Sequence, residues 1–285
     1  MSNLSDKAML VKLKRGMFDP NVMDRTITEN VEHQTGVKNG GRYKKRLLAE
    51  SAMFKRVTEA WSALYTYHQQ HTLPWTDNGP RLLPSCMYME YTDAMRNLRG
   101  EADKRLKVLA DNWLREIQHD SARLGIMYNP EDYPSNIASR FYHDIQFLPV
   151  PNTGDFRVQI DDADRMSLER AIAEAEANIT SHLITELMEP LQRMAAKLAV
   201  PADQKGGVFR NTLIENVVET AERLKKLNVN NDPAMASMLD QVVSVAAQYH
   251  GKEDMLRGDT QARQQAATEA QTTIDNIMDI FGGAL

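Results

Sequence analysis

The densest group of like charges in the chain is the sequence RYKKR. Its four cations, Arg42, Lys44, Lys45 and Arg46, surround Tyr43 and directly follow the glycine-containing segment GVKNGG. Cations neutralise phosphates and an aromatic ring can stack on bases, so this combination predicts an anion site that binds single-stranded nucleic acid. The alternative is a solvated helix start that binds nothing, because exposed cations are readily tolerated in water.

The C-terminal stretch TTIDNIMDIFGGAL combines acidic and large apolar residues. Ile277, Met278 and Phe281 are separated by steps of one and three residues, which predicts one apolar side of a short helix. We expect these three side chains to dock in a groove, because so short a segment cannot bury its apolar side alone. The groove can belong to the same chain, to a sister subunit or to a different protein.

Residues with the chemistry of metal ligands are scattered along the sequence. Glu116 and His119 form one E-x-x-H motif, but carboxylate metal sites in helix bundles need a second such motif and further glutamates. His68 and His71 are three residues apart near a predicted helix end, where a cation is favourable without any metal. We therefore expect no metal and no cofactor.

Motifs of catalysis are missing from the sequence. It contains no G-x-S-x-G nucleophile motif and no G-x-x-x-x-G-K-S/T phosphate loop. The single cysteine, Cys86, has no signature of a catalytic thiol, and one cysteine excludes a disulfide framework. We expect that the chain is not an enzyme.

The elements that must position these residues are mainly helices. Apolar residues recur every three or four positions in five stretches, which predicts helices at about 42–70, 85–124, 163–198, 208–227 and 233–249. A short apolar run at 8–13 is a candidate strand, and the proline-rich segment LPWTDNGPRLLP predicts a loop.

One β-hairpin is expected at residues 145–160, around the turn NTGD. Phe147 and Phe156 should pack on a helix, and Pro149 and Pro151 place the first arm at a sheet edge. The predicted fold class is therefore mainly α: an elongated bundle of long antiparallel helices with one small β-hairpin.

Composition and charge indicate a globular protein. The 285 residues carry a net charge of −5 and are 42% apolar. The first 56 residues hold 12 basic and 6 acidic residues, so the cations are concentrated at this end. We expect one helical domain at 1–250, a polar linker or solvated helix at 251–270 and an amphipathic tail at 271–285.

Hydropathy predicts no contact with a membrane. No apolar run reaches the roughly 18 residues that a membrane span needs, and the first residues lack the apolar core of a signal peptide. We expect the protein to work in the cytoplasm.

Two parts of the sequence resemble a family of bacterial and phage proteins of unknown function. The similar features are an acidic residue before Tyr133-Pro134, the group Phe156-Arg157-Val158, the start Phe209-Arg210 and the pattern LN…DP that begins at Leu227. The resemblance extends over about residues 8–250. Members of that family are often encoded beside a MoxR-type AAA+ ATPase and a von Willebrand A-domain protein. The resemblance implies a partner in such a system, and it implies no catalytic residue.

The first functional prediction is a non-enzymatic interaction protein, encoded by a phage or a mobile element, that serves as accessory or adaptor to an AAA+ ATPase. The ATPase or a von Willebrand A-domain protein is the expected partner, with a homo-oligomer as a further expectation and the host cytoplasm as the location. The alternative is a protein that binds single-stranded DNA in phage replication, recombination or transcription. An enzyme of unknown chemistry is the third reading.

Overall fold

The computed structural model describes residues 4–75, 79–151, 162–201 and 210–282. The protein is mainly helical, with 69% helix and 12% strand, which confirms the coarse fold class. The elongated bundle of antiparallel helices stays a prediction.

Ten helices lie in the described part of the chain: α1 Leu4–Lys7, α2 Arg25–Thr35, α3 Ala52–Gln70, α4 Tyr88–Asp111, α5 Trp113–Leu124, α6 Asp162–Ala199, α7 Thr212–Leu227, α8 Pro233–Ala247, α9 Glu253–Gly258 and α10 Thr260–Phe281. The six strands in the same ranges are β1 Ala8–Gly16, β2 Asn21–Met23, β3 Lys44–Arg46, β4 Leu73–Pro74, β5 Arg81–Pro84 and β6 Tyr142–Pro149. The strands form a four-stranded sheet in the order β4-β5-β1-β6 and a separate pair, β2-β3.

The chain divides into two compact units. The first consists of residues 1–12, 70–89 and 147–285, and the second of residues 13–69 and 90–146. Both units are therefore built from segments that are distant in the sequence. The polar segment at 251–270 contains α9 and the start of α10 within the first unit.

The first unit has its core between α6, α7, α8 and α10. Helix α10 packs on α6, and α7 packs on both α6 and α8. The side chain of Asp232 caps α8 by accepting from the backbone N–H groups of Ala234 and Met235, as expected for the Asp-Pro start of a helix. In the sheet, β1 pairs antiparallel with β5 from Ala8 opposite Pro84 to Val11 opposite Arg81.

The sequence predicts that the proline-rich segment is a loop, but the structure also contains two short strands there. Its ends form β4 and β5, which pair through Leu73 opposite Leu82 and Pro74 opposite Arg81. Arg81 also donates to the hydroxyl and the backbone oxygen of Thr72, at 2.7 and 2.6 Å. Tertiary pairing thus overrides the local signal of the prolines, which lie at strand ends where no ladder N–H is lost.

The second unit has its core on the apolar faces of α3, α4 and α5. Phe54, Val57, Trp61 and Leu64 of α3 are buried, on the face that the helical period predicts. The helix begins at Ala52, whereas the sequence pattern predicts a start near residue 42. The predicted helix at 85–124 is in fact α4 and α5, which are separated at Asn112.

Of the predicted hairpin, only the first arm lies within the described residues. Strand β6 lies at one end of the sheet order among the described strands, in agreement with an edge strand. The ring of Phe147 contacts that of Tyr88, the first residue of α4, with 5.2 Å between centroids. The predicted turn and Phe156 lie outside the described residues. The single hairpin is corrected to a sheet of four strands.

Candidate functional site

Strand β3 divides the basic cluster between two faces. Successive side chains of a strand point to opposite sides, and here Lys44 and Arg46 are exposed while Lys45 between them is buried. Arg42, just before the strand, is exposed as well. We call Arg42, Lys44 and Arg46 the cation face.

Lys45 does not belong to the cation face, because its ammonium is held inside the second unit. Its Nζ lies 2.7 Å from a carboxylate oxygen of Asp132 and 3.7 Å from one of Asp24. It also donates to the backbone oxygen of Met127 at 2.6 Å. With 6% of its surface exposed, Lys45 is placed to hold three segments together and not to meet a polyanion. The sequence cluster of four cations therefore becomes a surface group of three.

The segment after β3 is fixed by Asp120 of α5, which is buried. One Asp120 oxygen accepts from the backbone N–H of Leu48 at 2.8 Å and from the hydroxyl of Tyr133 at 2.5 Å. The other accepts from Arg123 Nε at 2.8 Å. Arg123 in turn donates to the backbone oxygen of Arg46 at 2.7 Å. Leu48 has a φ of 54°, an uncommon conformation for a leucine, and its hydrogen bond to Asp120 holds it there.

Burial, and then the hydrogen bond to Asp120, raise the pKa of Tyr133 above its ordinary value. Tyr133 therefore stays protonated and serves as a donor to the carboxylate. The Tyr133-Pro134 pair thus has a structural role in this unit. The backbone oxygen of Pro134 accepts from the indole of Trp113 at 2.8 Å.

A cavity of about 450 Å³ opens beside Arg46. We call it the Arg46 cavity. Its charged lining residues are Arg46, Lys55 and Asp19. Its apolar lining includes Met17, Phe18, Pro20, Leu48 and Phe54, and its hydroxyl groups come from Ser51 and Thr58.

A second cavity, of about 430 Å³, lies along α2. We call it the α2 groove; Val31 and Thr35 of the helix and Val37 and Tyr43 of the following segment line it, with Arg42 beside them. Helix α2 is capped at its start by the Asp24 side chain, which accepts from Ile27 N–H. At its end Gly36 has a φ of 69°, the left-handed conformation that glycine adopts at helix ends.

Helix α2 differs from the other long helices in its packing. None of its eleven residues, all of which the structure describes, is buried. Val31 and Val37 are 49% and 55% exposed. The helix is attached to the second unit through backbone and hydroxyl hydrogen bonds, from Asp24 N–H to Tyr43 O and from Tyr43 N–H to Thr28 Oγ1. The apolar side of α2 is thus exposed to solvent and is not packed in the core of the second unit.

A third cavity, of about 290 Å³, brings Glu116 and His119 together with Arg115 and Arg123. The E-x-x-H pair thus lines a cavity with two cations and two further carboxylates, Glu50 and Asp120. Among the described residues no group of three or more potential ligands could hold a metal ion. His68 is buried, and its Nδ1 lies 2.7 Å from the Tyr91 hydroxyl.

The predicted docking tail forms the end of α10, which packs on α6. Ile277 and Phe281 are buried as expected, but Met278 is 43% exposed, so its predicted burial is wrong. Successive residues of a helix are about 100° apart, so Ile277 and Met278 cannot point into the same groove. The buried stripe is instead Ala270, Ile274, Ile277 and Phe281. The tail therefore docks on its own chain.

Arg263 is a residue that the sequence analysis does not single out. It is buried in the first unit, and its guanidinium donates to the backbone oxygens of Leu198, Lys197 and Leu256 at 3.1, 2.5 and 3.3 Å. A single arginine in a polar stretch gives no pattern, so periodicity could not identify it. The capped end of α2 could have been found, because Asp24 and Gly36 have the spacing of helix caps.

The chain was compared with protein-family models, with curated proteins and with solved structures, and none of the three comparisons finds a match. Within residues 4–75, 79–151, 162–201 and 210–282, each helix is either too short or too polar to span a lipid bilayer.

Proposed function

We propose that the chain is a non-enzymatic interaction protein that binds a partner protein through the α2 groove. The observation that carries this proposal is that no residue of α2 is buried and that Val31 and Val37 are each about half-exposed. An isolated helix of fewer than about 12–15 residues is only marginally stable in water. The apolar side of α2 gains little from its own unit, and a partner that covers Val31, Val37 and Tyr43 would stabilise it.

The identity of the partner is proposed from the family resemblance. It suggests an AAA+ ATPase or the von Willebrand A-domain protein of the same system, with this chain as accessory or adaptor. A phage or mobile-element origin, work in the host cytoplasm and self-association belong to the same proposal. The α2 groove supplies what such a role requires, namely an apolar surface next to the exposed cation Arg42.

The test is direct binding between the purified chain and the AAA+ ATPase encoded nearest to it. A negative charge in the groove, Val31→Asp, should weaken binding at least tenfold without unfolding the chain, because Val31 is already half-exposed. Val108→Asp is the matched control, since Val108 is 52% exposed on α4 in the same unit. Equal losses in both variants would contradict a role for the groove.

Single-stranded DNA binding is the second candidate function. Its support is the cation face, where Arg42, Lys44 and Arg46 are exposed beside the half-exposed ring of Tyr43. Binding should weaken steeply with salt, because each neutralised phosphate releases a counterion. Replacing Arg42 and Lys44 by glutamine should lower both the affinity and the salt slope, whereas loss of Lys45 should act through folding. Contacts with phosphates are strongest at low salt concentration, so a lack of binding at about 50 mM salt would contradict this candidate function.

A further inference from the structure

We propose that the Arg46 cavity binds one nucleotide unit, with the phosphate between Arg46 and Lys55 and the base against the apolar wall around Met17. The proposal rests on the second candidate function and gives it a site, a ligand class and a residue, Lys55, outside the basic cluster. A free nucleotide and a nucleotide within a single strand both present a nucleoside that carries a phosphate, and this is the group that the cavity would recognise.

The size and lining of the cavity suit such a ligand. Its volume of about 450 Å³ lies within the roughly 300–1,000 Å³ of small-molecule sites, which combine apolar walls with a few polar groups. Phe18 and Phe54 form a fixed floor, because both are buried and their rings meet edge to face with 6.0 Å between centroids. Met17 is 42% exposed, and its thioether can lie against an aromatic base.

The charges of the cavity favour an anion. Two cations, Arg46 and Lys55, line it against one carboxylate, Asp19. In the part of the chain that the structure describes, the Arg46 guanidinium forms no ion pair within 4.0 Å. Lys55 has only a loose surface contact, 3.9 Å from Glu59. Both cations are therefore available to a phosphate at little cost.

Asp19 is the group that opposes an anion. Its Oδ1 accepts from the backbone N–H and the side-chain amide of Asn21, at 2.9 and 2.8 Å. These hydrogen bonds, with a smaller contribution from Lys44, lower the pKa of Asp19, so it is ionised at neutral pH. Removing its charge in Asp19→Asn should therefore tighten binding, whereas loss of a cation should weaken it.

Hydrogen bonds hold the frame of the cavity in place before any ligand binds. Leu47 N–H donates to Pro20 O at 2.8 Å and ties the two sides together. The Arg46 backbone is held by Arg123, and Ser51 Oγ accepts from Phe54 N–H at 3.0 Å. The Ser51 hydroxyl hydrogen remains able to donate. A site of this kind loses little freedom on binding, which favours affinity.

Binding is measured by fluorescence anisotropy with a labelled oligothymidylate of about 12 nucleotides, within the ~4–16 nucleotides of known single-strand sites. Thymidine monophosphate, inorganic phosphate and an acidic peptide serve as unlabelled competitors. The variants are Arg46→Gln, Lys55→Gln and their combination, and the control is Arg140→Gln, an equal charge change at an exposed residue of the same unit outside the cavity. Circular dichroism melts verify that each variant is folded.

We expect the double variant to bind the oligothymidylate at least tenfold more weakly than the wild type. The slope of log affinity against log salt concentration should fall by about 1–2, one for each lost phosphate contact. Thymidine monophosphate should compete better than inorganic phosphate, Asp19→Asn should bind more tightly, and the control should match the wild type. Isothermal titration measures thymidine monophosphate directly, and binding there that needs Arg46 and Lys55, without oligothymidylate binding, would keep the cavity and retire the strand-binding function.

Other results overturn the proposal. Oligothymidylate binding that depends on Arg42 and Lys44 but not on the cavity residues would leave the strand-binding function and remove the nucleotide site. Equal competition by inorganic phosphate would show that the base contributes nothing. Displacement by the acidic peptide alone would assign the cavity to a protein partner, and no binding of any probe would overturn both proposals.

Discussion

Replacing Arg263 by methionine should destabilise the first unit more than any exposed charge substitution in it. The methionine keeps most of the apolar stem but removes three donors from three backbone oxygens. Two of these oxygens, of Lys197 and Leu198, belong to the last turn of α6, where no N–H of the helix can reach them. The cation also lies where the negative end of the helix dipole favours it.

The size of the effect follows from these contacts. A hydrogen bond from a charged donor contributes about 1.5–3 kcal/mol, and an unsatisfied buried acceptor costs about 1–3 kcal/mol. Partial relaxation and entry of water reduce the sum, so we expect a loss of about 3–5 kcal/mol. In a unit of about 170 residues, each kcal/mol lowers Tm by roughly 2–4 °C. The expected shift is therefore on the order of 6–20 °C.

Thermal unfolding followed by circular dichroism and calorimetry measures this shift, with the two units treated as separate transitions if two are seen. Arg193→Met is the matched control, because Arg193 lies on α6 with 69% of its side chain exposed. It should change stability by less than about 0.5 kcal/mol. If Arg263→Met and Arg193→Met melted together with the wild type, the buried guanidinium would not anchor α10 and this reasoning would be refuted.

Three further predictions also concern stability and can be tested by unfolding experiments. Glu186→Gln should destabilise the chain at pH 7: burial raises the pKa of Glu186, but its bonds to His182 and Arg223 outweigh this and hold it below the ordinary 4.5. The Tm difference from the wild type should therefore vanish as the pH falls through the folded pKa, and a difference that grew in acid would contradict that. Lys45→Ala should cost about 3–5 kcal/mol in urea unfolding, because it leaves the buried Asp24 and the partly buried Asp132 without their cation, while Lys44→Ala should stay within about 0.5 kcal/mol. Ile277→Ala should cost about 2–5 kcal/mol of unfolding free energy and Met278→Ala far less. Equal losses would contradict the assignment of Ile277 to the buried face of α10 and of Met278 to its exposed face.

The helices could largely be predicted from the sequence, because a helix repeats its apolar face over many residues. The Leu183, Leu187 and Leu191 stripe of α6 and the Asp232 cap of α8 are local signals of this kind. The strands β2 to β5 could not be predicted in the same way. They have two to four residues each, and their pairing is decided by contacts between distant segments.

The site was predicted in part, and the error has a clear physical origin. The helix that the sequence predicts from about residue 42 would let the neighbouring cations share a wide polar face. In the strand β3 the alternation of sides turns Lys45 inward and leaves Lys44 and Arg46 outside. The burial of Lys45 depends on Asp24 and Asp132, which no local pattern connects with it. The Arg46 cavity likewise needs residues from two separate stretches, 17–21 and 46–58, and forms only in the folded unit.

The central claim is that the exposed α2 groove binds a partner protein. Isothermal titration of the purified chain with the AAA+ ATPase encoded nearest to it tests this claim most directly, with Val31→Asp and Val108→Asp titrated in parallel. The account predicts a saturable complex with the wild type and Val108→Asp, and at least a tenfold weaker one with Val31→Asp. No heat of binding to the ATPase or to its von Willebrand A-domain companion, or a complex that Val31→Asp leaves unchanged, would contradict it.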